Sequence, residues 1–128
     1  MIAFALDELR NLMNFQKMLL YQRLGITDEQ LAQFCQRASI VEFALFGSIL
    51  RDDFRPESDI DILVTFAPDC KLSLLEFVGL EQDLVEWLDR PVDLVEKQVV
   101  EADFNEIRRA AILGHYQVIY ESRSIVFA

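Results

Sequence analysis

Two short segments contain the residue types that phosphate chemistry requires. Gly47 and Ser48 directly follow an apolar run, and Asp59 and Asp61 stand a short distance further along the chain. Glycine lets the backbone turn sharply and come close to a ligand, while a serine at the start of a helix adds a hydroxyl to the free N–H groups there. The Gly47-Ser48 turn therefore favours a phosphate ligand.

The aspartate pair indicates a metal site. Alternate residues of a strand share one face about 6 to 7 Å apart, so Asp59 and Asp61 are expected to point the same way. Two carboxylates this close raise each other's pKa unless a cation neutralises them. Oxygen-only ligands suit Mg²⁺, which keeps waters and substrate phosphate oxygens in its remaining positions. The alternative is a pair of solvated acids that precede an edge strand.

Asp93 is the candidate for a third metal ligand, because it is an acid inside the short apolar run 91–95, which begins with a proline. A third acid would complete a two-ion arrangement, in which ions about 3.5 to 4 Å apart clamp the attacking and leaving oxygens. A half-exposed strand also alternates acids with apolar residues, and that reading stays open. Arg51 could fork onto phosphate oxygens or pair with nearby surface acids.

The surrounding pattern predicts the elements that position these residues. Residues 40–46 and 60–66 are rich in β-branched and aromatic side chains and are predicted strands. Residues 6–24 have helical apolar spacing, and the capping boxes Thr27-x-x-Gln30 and Ser73-x-x-Glu76 each predict a helix start. Asp103-x-x-Glu106 predicts a further helix that ends at Gly114, followed by a short strand at 118–120.

Composition limits the class of protein. The 128 residues suffice for one domain, which we divide into N-terminal helices (1–38) and a core (39–121). A net charge of −10 argues against extended nucleic-acid binding, which depends on phosphate neutralisation. No apolar run reaches the ~20 residues of a membrane span, and the start lacks a basic signal region. We therefore expect a cytoplasmic protein without membrane contact.

The combined motif resembles the signature of the DNA polymerase β-type nucleotidyltransferase superfamily. The segments that carry the resemblance are Phe46-Gly47-Ser48-x-x-Arg51, Ser58-Asp59-Ile60-Asp61-Ile62-x-Val64 and Val92-Asp93-Leu94-Val95. It covers roughly residues 40–121, and it departs from the family pattern at Asp52, where a small residue is usual. At this length the chain is similar to the minimal nucleotidyltransferases (MNT), antitoxins encoded beside HEPN-domain ribonuclease toxins.

The resemblance implies a mixed α/β nucleotidyltransferase fold, a small mixed sheet flanked by helices. It also implies an antitoxin that transfers AMP from ATP to a tyrosine of its HEPN toxin, with which it forms a hetero-oligomer. The implied metal ligands and catalytic residues are Asp59, Asp61 and Asp93, with two Mg²⁺ ions, and the implied nucleotide ligands are Gly47, Ser48 and Arg51. Two alternatives remain, namely an antitoxin that acts by binding alone and a stand-alone nucleotidyltransferase of the aminoglycoside type.

Overall fold

A four-stranded mixed sheet in the order β3-β2-β1-β4 forms the centre of the protein. The computed structural model describes residues 2–122, with side chains from residue 5 onward. Its strands are β1 (Ile40–Phe46), β2 (Ile60–Phe66), β3 (Val92–Glu96) and β4 (Tyr116–Glu121). β1 runs antiparallel to both β2 and β4, whereas β2 and β3 are parallel. The predicted mixed sheet with flanking helices is confirmed.

Helices precede and connect these strands. They are α1 (Ile2–Leu24), α2 (Asp28–Ala38), α3 (Leu74–Leu88), α4 (Lys97–Glu101) and α5 (Glu106–Leu113). Both predicted capping boxes are present: the Gln30 N–H donates to the Thr27 hydroxyl oxygen at 3.1 Å, and the side chain of Gln30 accepts from the Thr27 N–H at 3.0 Å. Ser73 and Glu76 repeat the exchange. Each box satisfies N–H groups that the first helical turn leaves unpaired.

The sheet has two different faces, and each is covered by different helices. Phe43, Ile62 and Leu84 are fully buried in the larger cluster, which joins one sheet face to α2, α3 and the end of α1. The opposite face carries a smaller cluster that contains Leu63 and Val100, beneath α4 and α5. Since side chains alternate between faces along a strand, Asp61 lies on the same face as Leu63. The acids of the candidate site therefore belong to the less covered face.

The helix expected after Gly47 is only a single 3-10 turn, Gly47–Leu50. The Arg51 N–H closes this turn on the carbonyl oxygen of Ser48 at 2.9 Å. Arg51 itself is extended, with φ −107° and ψ 165°, so the helix cannot continue. The chain then passes through a turn and Pro56 before it enters β2.

The C-terminal third also differs from the sequence prediction. Asp103 does not cap the last helix, because the side chain of Asn105 accepts the Arg108 N–H in its place and α5 begins at Glu106. The carboxylate of Asp103 instead accepts from the Asn105 N–H and pairs with Arg108. The short helix α4 was not predicted, and β4 is longer than the predicted strand 118–120. The end of α5 at Gly114 agrees with the prediction.

Helix α1 has 23 residues. Within residues 2–122, none of the helices combines the length and the apolar character that a bilayer crossing requires.

Candidate active site

Strand pairing brings two of the predicted acids side by side. Asp61 in β2 lies opposite Asp93 in β3 and opposite Phe46 in β1. Directly opposed residues of neighbouring strands point to the same face, so both carboxylates project from one row of the sheet. Asp59 stands just before β2 and is exposed, as is Asp93, while Asp61 is half-buried. The three acids thus gather at the beginning of β2 and β3.

The space beside Asp61 exists only because residue 47 is a glycine. Gly47 has φ +75°, a conformation that other L-residues adopt at a cost. A Cβ atom at this position would collide with Oδ2 of Asp61 and would lie 3.0 Å from its Cγ. The backbone of the turn and the Asp61 carboxylate are therefore in direct contact.

Ser48 ties the turn to the first acid. Its hydroxyl donates to the carbonyl oxygen of Asp59 at 3.5 Å, a long hydrogen bond across 11 residues of sequence. The Ser48 side chain is half-buried and lies in the same turn as the positive-φ glycine. The turn and the aspartate pair, which the sequence places apart, form one unit in the structure.

The electrostatics of the site favour a cation. Burial raises the pKa of Asp61 above its ordinary value, and the neighbouring Asp93 and Asp59 carboxylates raise it further, while Arg51 opposes the shift. The ionised form of Asp61 is thus destabilised by lost hydration and by like charges. A divalent ion at this place would remove both penalties.

The donor chemistry fits Mg²⁺, since the candidate ligands are carboxylate oxygens. Within residues 2–122, no three His, Cys, Asp or Glu side chains converge as a ready-made metal cluster. A Mg²⁺ ion at this row would take only part of its coordination shell from the protein, and waters and substrate phosphates would supply the rest.

Arg51 lies beside these acids but is paired elsewhere. Its Nε donates to Oδ1 of Asp53 at 3.0 Å, and both side chains are largely exposed. Exposed pairs of this kind contribute little free energy, so the guanidinium can leave Asp53 at small cost. The positive charge of Arg51 lies near enough to Asp61 to offset part of the rise in the pKa of that carboxyl group.

Two arginines that no sequence motif singles out hold the loop after the turn. Nη1 of Arg23, in the last turn of α1, donates to the carbonyl oxygens of Ile49 at 2.6 Å and Arg51 at 2.8 Å. From the other side, Nη1 of Arg90 donates to the Arg55 carbonyl at 3.0 Å. No local pattern distinguishes these arginines from surface charges, because their acceptors are backbone atoms remote in sequence.

The guanidiniums of Arg23 and Arg90 also lie over the ring of Phe54, at 5.6 and 4.5 Å from its centroid. Lys97, another cation near the acids in sequence, is used structurally: its Nζ lies 3.0 Å from Oε1 of Glu42 and 4.9 Å from the Tyr116 ring centroid. Burial alone would lower the pKa of Lys97, but hydrogen bonding to Tyr116 and Glu42 raises it. These cations hold the loop and the sheet.

The chain matches known proteins over most of its length. A family model described as a nucleotidyltransferase domain matches residues 28–124. The protein adenylyltransferase MntA of Thermococcus cleftensis is 33% identical over 97 residues, which are 76% of this chain and 82% of the relative.

Solved structures share the fold. A toxin–antitoxin structure with AMP-PNP superimposes with a TM-score of 0.58 at 20% identity, over 78% of this chain and 77% of that chain. A structure described as a minimal nucleotidyltransferase superimposes with a TM-score of 0.52 at 28% identity, over 70% of this chain and 85% of that one. The region that the family model matches, residues 28–124, contains the turn, the aspartate pair and Asp93.

Proposed function

The chain belongs to the nucleotidyltransferase domain family, and we propose that it transfers AMP from ATP to a hydroxyl group of a HEPN-type toxin and so acts as its antitoxin. The similar protein from Thermococcus cleftensis is named a protein adenylyltransferase, and a structure of the same fold is a toxin–antitoxin with AMP-PNP. The acceptor we propose is a tyrosine of the toxin, and the two proteins would form a hetero-oligomer in the cytoplasm.

The observation that carries the proposal is the contact between Gly47 and Asp61. The Asp61 carboxylate occupies the place that a side chain at residue 47 would fill, and it stands in one row with Asp93. A phosphate held by the turn would therefore lie beside the acids. This adjacency of a phosphate-binding backbone and an acidic row is what transfer of a nucleotidyl group needs.

In the proposed mechanism Asp59, Asp61 and Asp93 would hold two Mg²⁺ ions, whose charge would neutralise the triphosphate and make the α-phosphorus more electrophilic. The backbone of Gly47 and the hydroxyl of Ser48 bind the outer phosphates, and the guanidinium of Arg51 leaves Asp53 to contact them.

The reaction itself forms one bond and breaks one. The acceptor oxygen attacks the α-phosphorus, and the bond from that phosphorus to the oxygen bridging to the β-phosphate breaks, so that pyrophosphate leaves. Asp93, the exposed acid of β3, accepts the proton of the acceptor hydroxyl. Positioning and charge neutralisation supply most of the acceleration.

The test uses ATP labelled at the α- or the γ-phosphate, with Mg²⁺ and with or without the HEPN-type protein encoded beside this chain. We expect the α-label, and not the γ-label, on the partner protein. Asp61→Asn should abolish labelling, whereas Asp69→Asn, which removes an exposed charge from the loop after β2, should not. Tight complex formation without any label would show a neutraliser that acts by binding alone, and transfer of the γ-label would show a kinase.

A further inference from the structure

Helix α1 presents an apolar surface that the rest of the described chain does not cover. Between residues 5 and 19 it has no buried side chain, whereas Leu20 and Leu24 further along are only 6% and 5% exposed. Large apolar side chains in this stretch are 38% to 54% exposed: Leu6, Leu9, Leu12, Met13, Phe15, Met18 and Leu19. A contiguous apolar patch of this kind marks an interaction site.

Most of these residues form a single strip along the helix. At 3.6 residues per turn, the exposed positions 6, 9, 12, 13, 16 and 19 fall within an arc of about 140°. We call this arc the α1 strip; it contains no charged residue, and its single polar side chain is Gln16. Asp7, Arg10, Asn14 and Lys17 lie on the opposite side of the helix, where Arg10 and Asp7 pair at 3.8 Å.

The α1 strip is symmetric about the midpoint between Leu12 and Met13. If a second copy of the helix runs antiparallel about this midpoint, each residue n faces residue 25 − n, and every position of the strip then faces another position of the strip. Leu6 faces Leu19, and Leu12 faces Met13. A surface that matches itself under a two-fold rotation is what an isologous dimer requires.

Charge favours the same partner. Helix α1 carries three basic and two acidic side chains, while the whole chain has a net charge of −10. Self-association through α1 thus brings together the least acidic part of an acidic protein, where repulsion between copies is smallest. A ribonuclease binds its RNA substrate through basic surface. The surface of this chain that is complementary to such a partner would be the acidic surface outside α1.

We propose that the α1 strip binds the α1 strip of a second copy of this chain in an antiparallel pair. Half of the accessible surface of a helix about 22 Å long is about 400 to 500 Å², so the pair would bury about 800 to 1,000 Å² in total. This is below the roughly 1,200 Å² of standard interfaces, so the dimer has a micromolar rather than a nanomolar Kd.

The first test is sedimentation equilibrium of the chain alone over a range of micromolar concentrations. The wild type should show a reversible monomer–dimer equilibrium. Leu12→Glu should raise the Kd of the dimer at least about tenfold, since it places two negative charges at the centre of the pair. Asn14→Glu adds the same charge to the opposite, exposed side of the helix and should keep the dimer. A wild type that stays monomeric, or a Leu12→Glu variant that dimerises equally well, would overturn the proposal.

The second test fixes the direction of the pair by disulfide crosslinking in a Cys70→Ser background, in which the remaining native thiol, Cys35, is buried. Mixed Leu6→Cys and Leu19→Cys chains should form the mixed crosslink, and a Leu6→Cys chain alone should form none. Crosslinking between two Leu6→Cys chains would indicate a parallel pair and contradict the symmetry argument. Loss of HEPN-partner binding by Leu12→Glu would show that the partner covers the strip, which also refutes the proposal. Neither test depends on adenylyl transfer.

Discussion

Gly47→Ala should inactivate the protein while leaving it folded. Because residue 47 has φ +75°, alanine there adopts a left-handed conformation at a cost of about 1 to 2 kcal/mol. The added Cβ also displaces the carboxylate of Asp61, which must leave its rotamer at a further cost of about 0.5 to 1.5 kcal/mol. The free energy of unfolding should therefore fall by about 1.5 to 3.5 kcal/mol.

Gly25→Ala is the matched control. Gly25 has φ +73°, but a Cβ atom there meets nothing within 4 Å. Gly25→Ala should lower the free energy of unfolding only by the cost of the left-handed conformation, about 1 to 2 kcal/mol. At this chain length each kcal/mol lowers Tm by about 3 to 5 °C, so Tm should fall less than for Gly47→Ala.

The two variants should separate more clearly in activity than in stability. Displacement of a metal-binding carboxylate by about 1 Å can cost about 100-fold in rate, so AMP transfer by Gly47→Ala should fall by at least about that factor. Gly25→Ala should keep nearly wild-type transfer, measured at a temperature where both variants are folded by circular dichroism. Equal activity of the two variants would refute the claim that the contact between Gly47 and Asp61 organises the site.

Three further predictions concern single side chains. Because the pKa of Asp61 is raised in the folded protein, the folded chain binds this proton more tightly than the unfolded chain does. The free energy of unfolding of wild type, relative to that of Asp61→Asn, should therefore rise as the pH falls through the folded-state pKa. At neutral pH with EDTA, Asp61→Asn should melt above wild type, and Mg²⁺ should raise the Tm of wild type more than that of the variant; a lower Tm for Asp61→Asn would contradict the assigned repulsion. Thr27→Ala removes the capping hydroxyl of α2 and should lower the free energy of unfolding by about 1 kcal/mol in urea titrations, with no change in transfer; an unchanged midpoint would argue against the cap. Arg23→Ala removes the donor to the Ile49 carbonyl and should reduce AMP transfer about tenfold by loosening the turn. If transfer by Arg23→Ala is normal, the loop does not need α1.

Local signals predicted the parts of the fold that local energetics determine. Apolar runs gave the spans of β1 and β2, and the capping boxes placed the starts of α2 and α3, because both depend on residues within a few positions. The start of α5 was predicted wrongly, since Asn105 competes successfully with Asp103 for the cap. The sequence alone cannot show which of two nearby polar side chains has its oxygen in reach of the right N–H.

The arrangement of the site depends on pairing between strands that are remote in sequence. The sequence indicated acids at 61 and 93 but not that β2 and β3 are neighbours in a register that places these two opposite each other. The anchoring of the loop by Arg23 and Arg90 could not be predicted either, because backbone carbonyls have no sequence signature. Which of these residues bind metal or nucleotide stays a prediction.

Transfer of AMP to a partner protein by the acidic row would change the intact mass of that partner by a defined amount. The proposed HEPN-type partner would be purified after co-expression with wild type, Asp61→Asn or Asp69→Asn. We predict mass increments of whole AMP units with wild type and with Asp69→Asn, and an unmodified partner with Asp61→Asn. An unmodified partner after co-expression with wild type, in cells that the wild-type chain protects, would contradict the account.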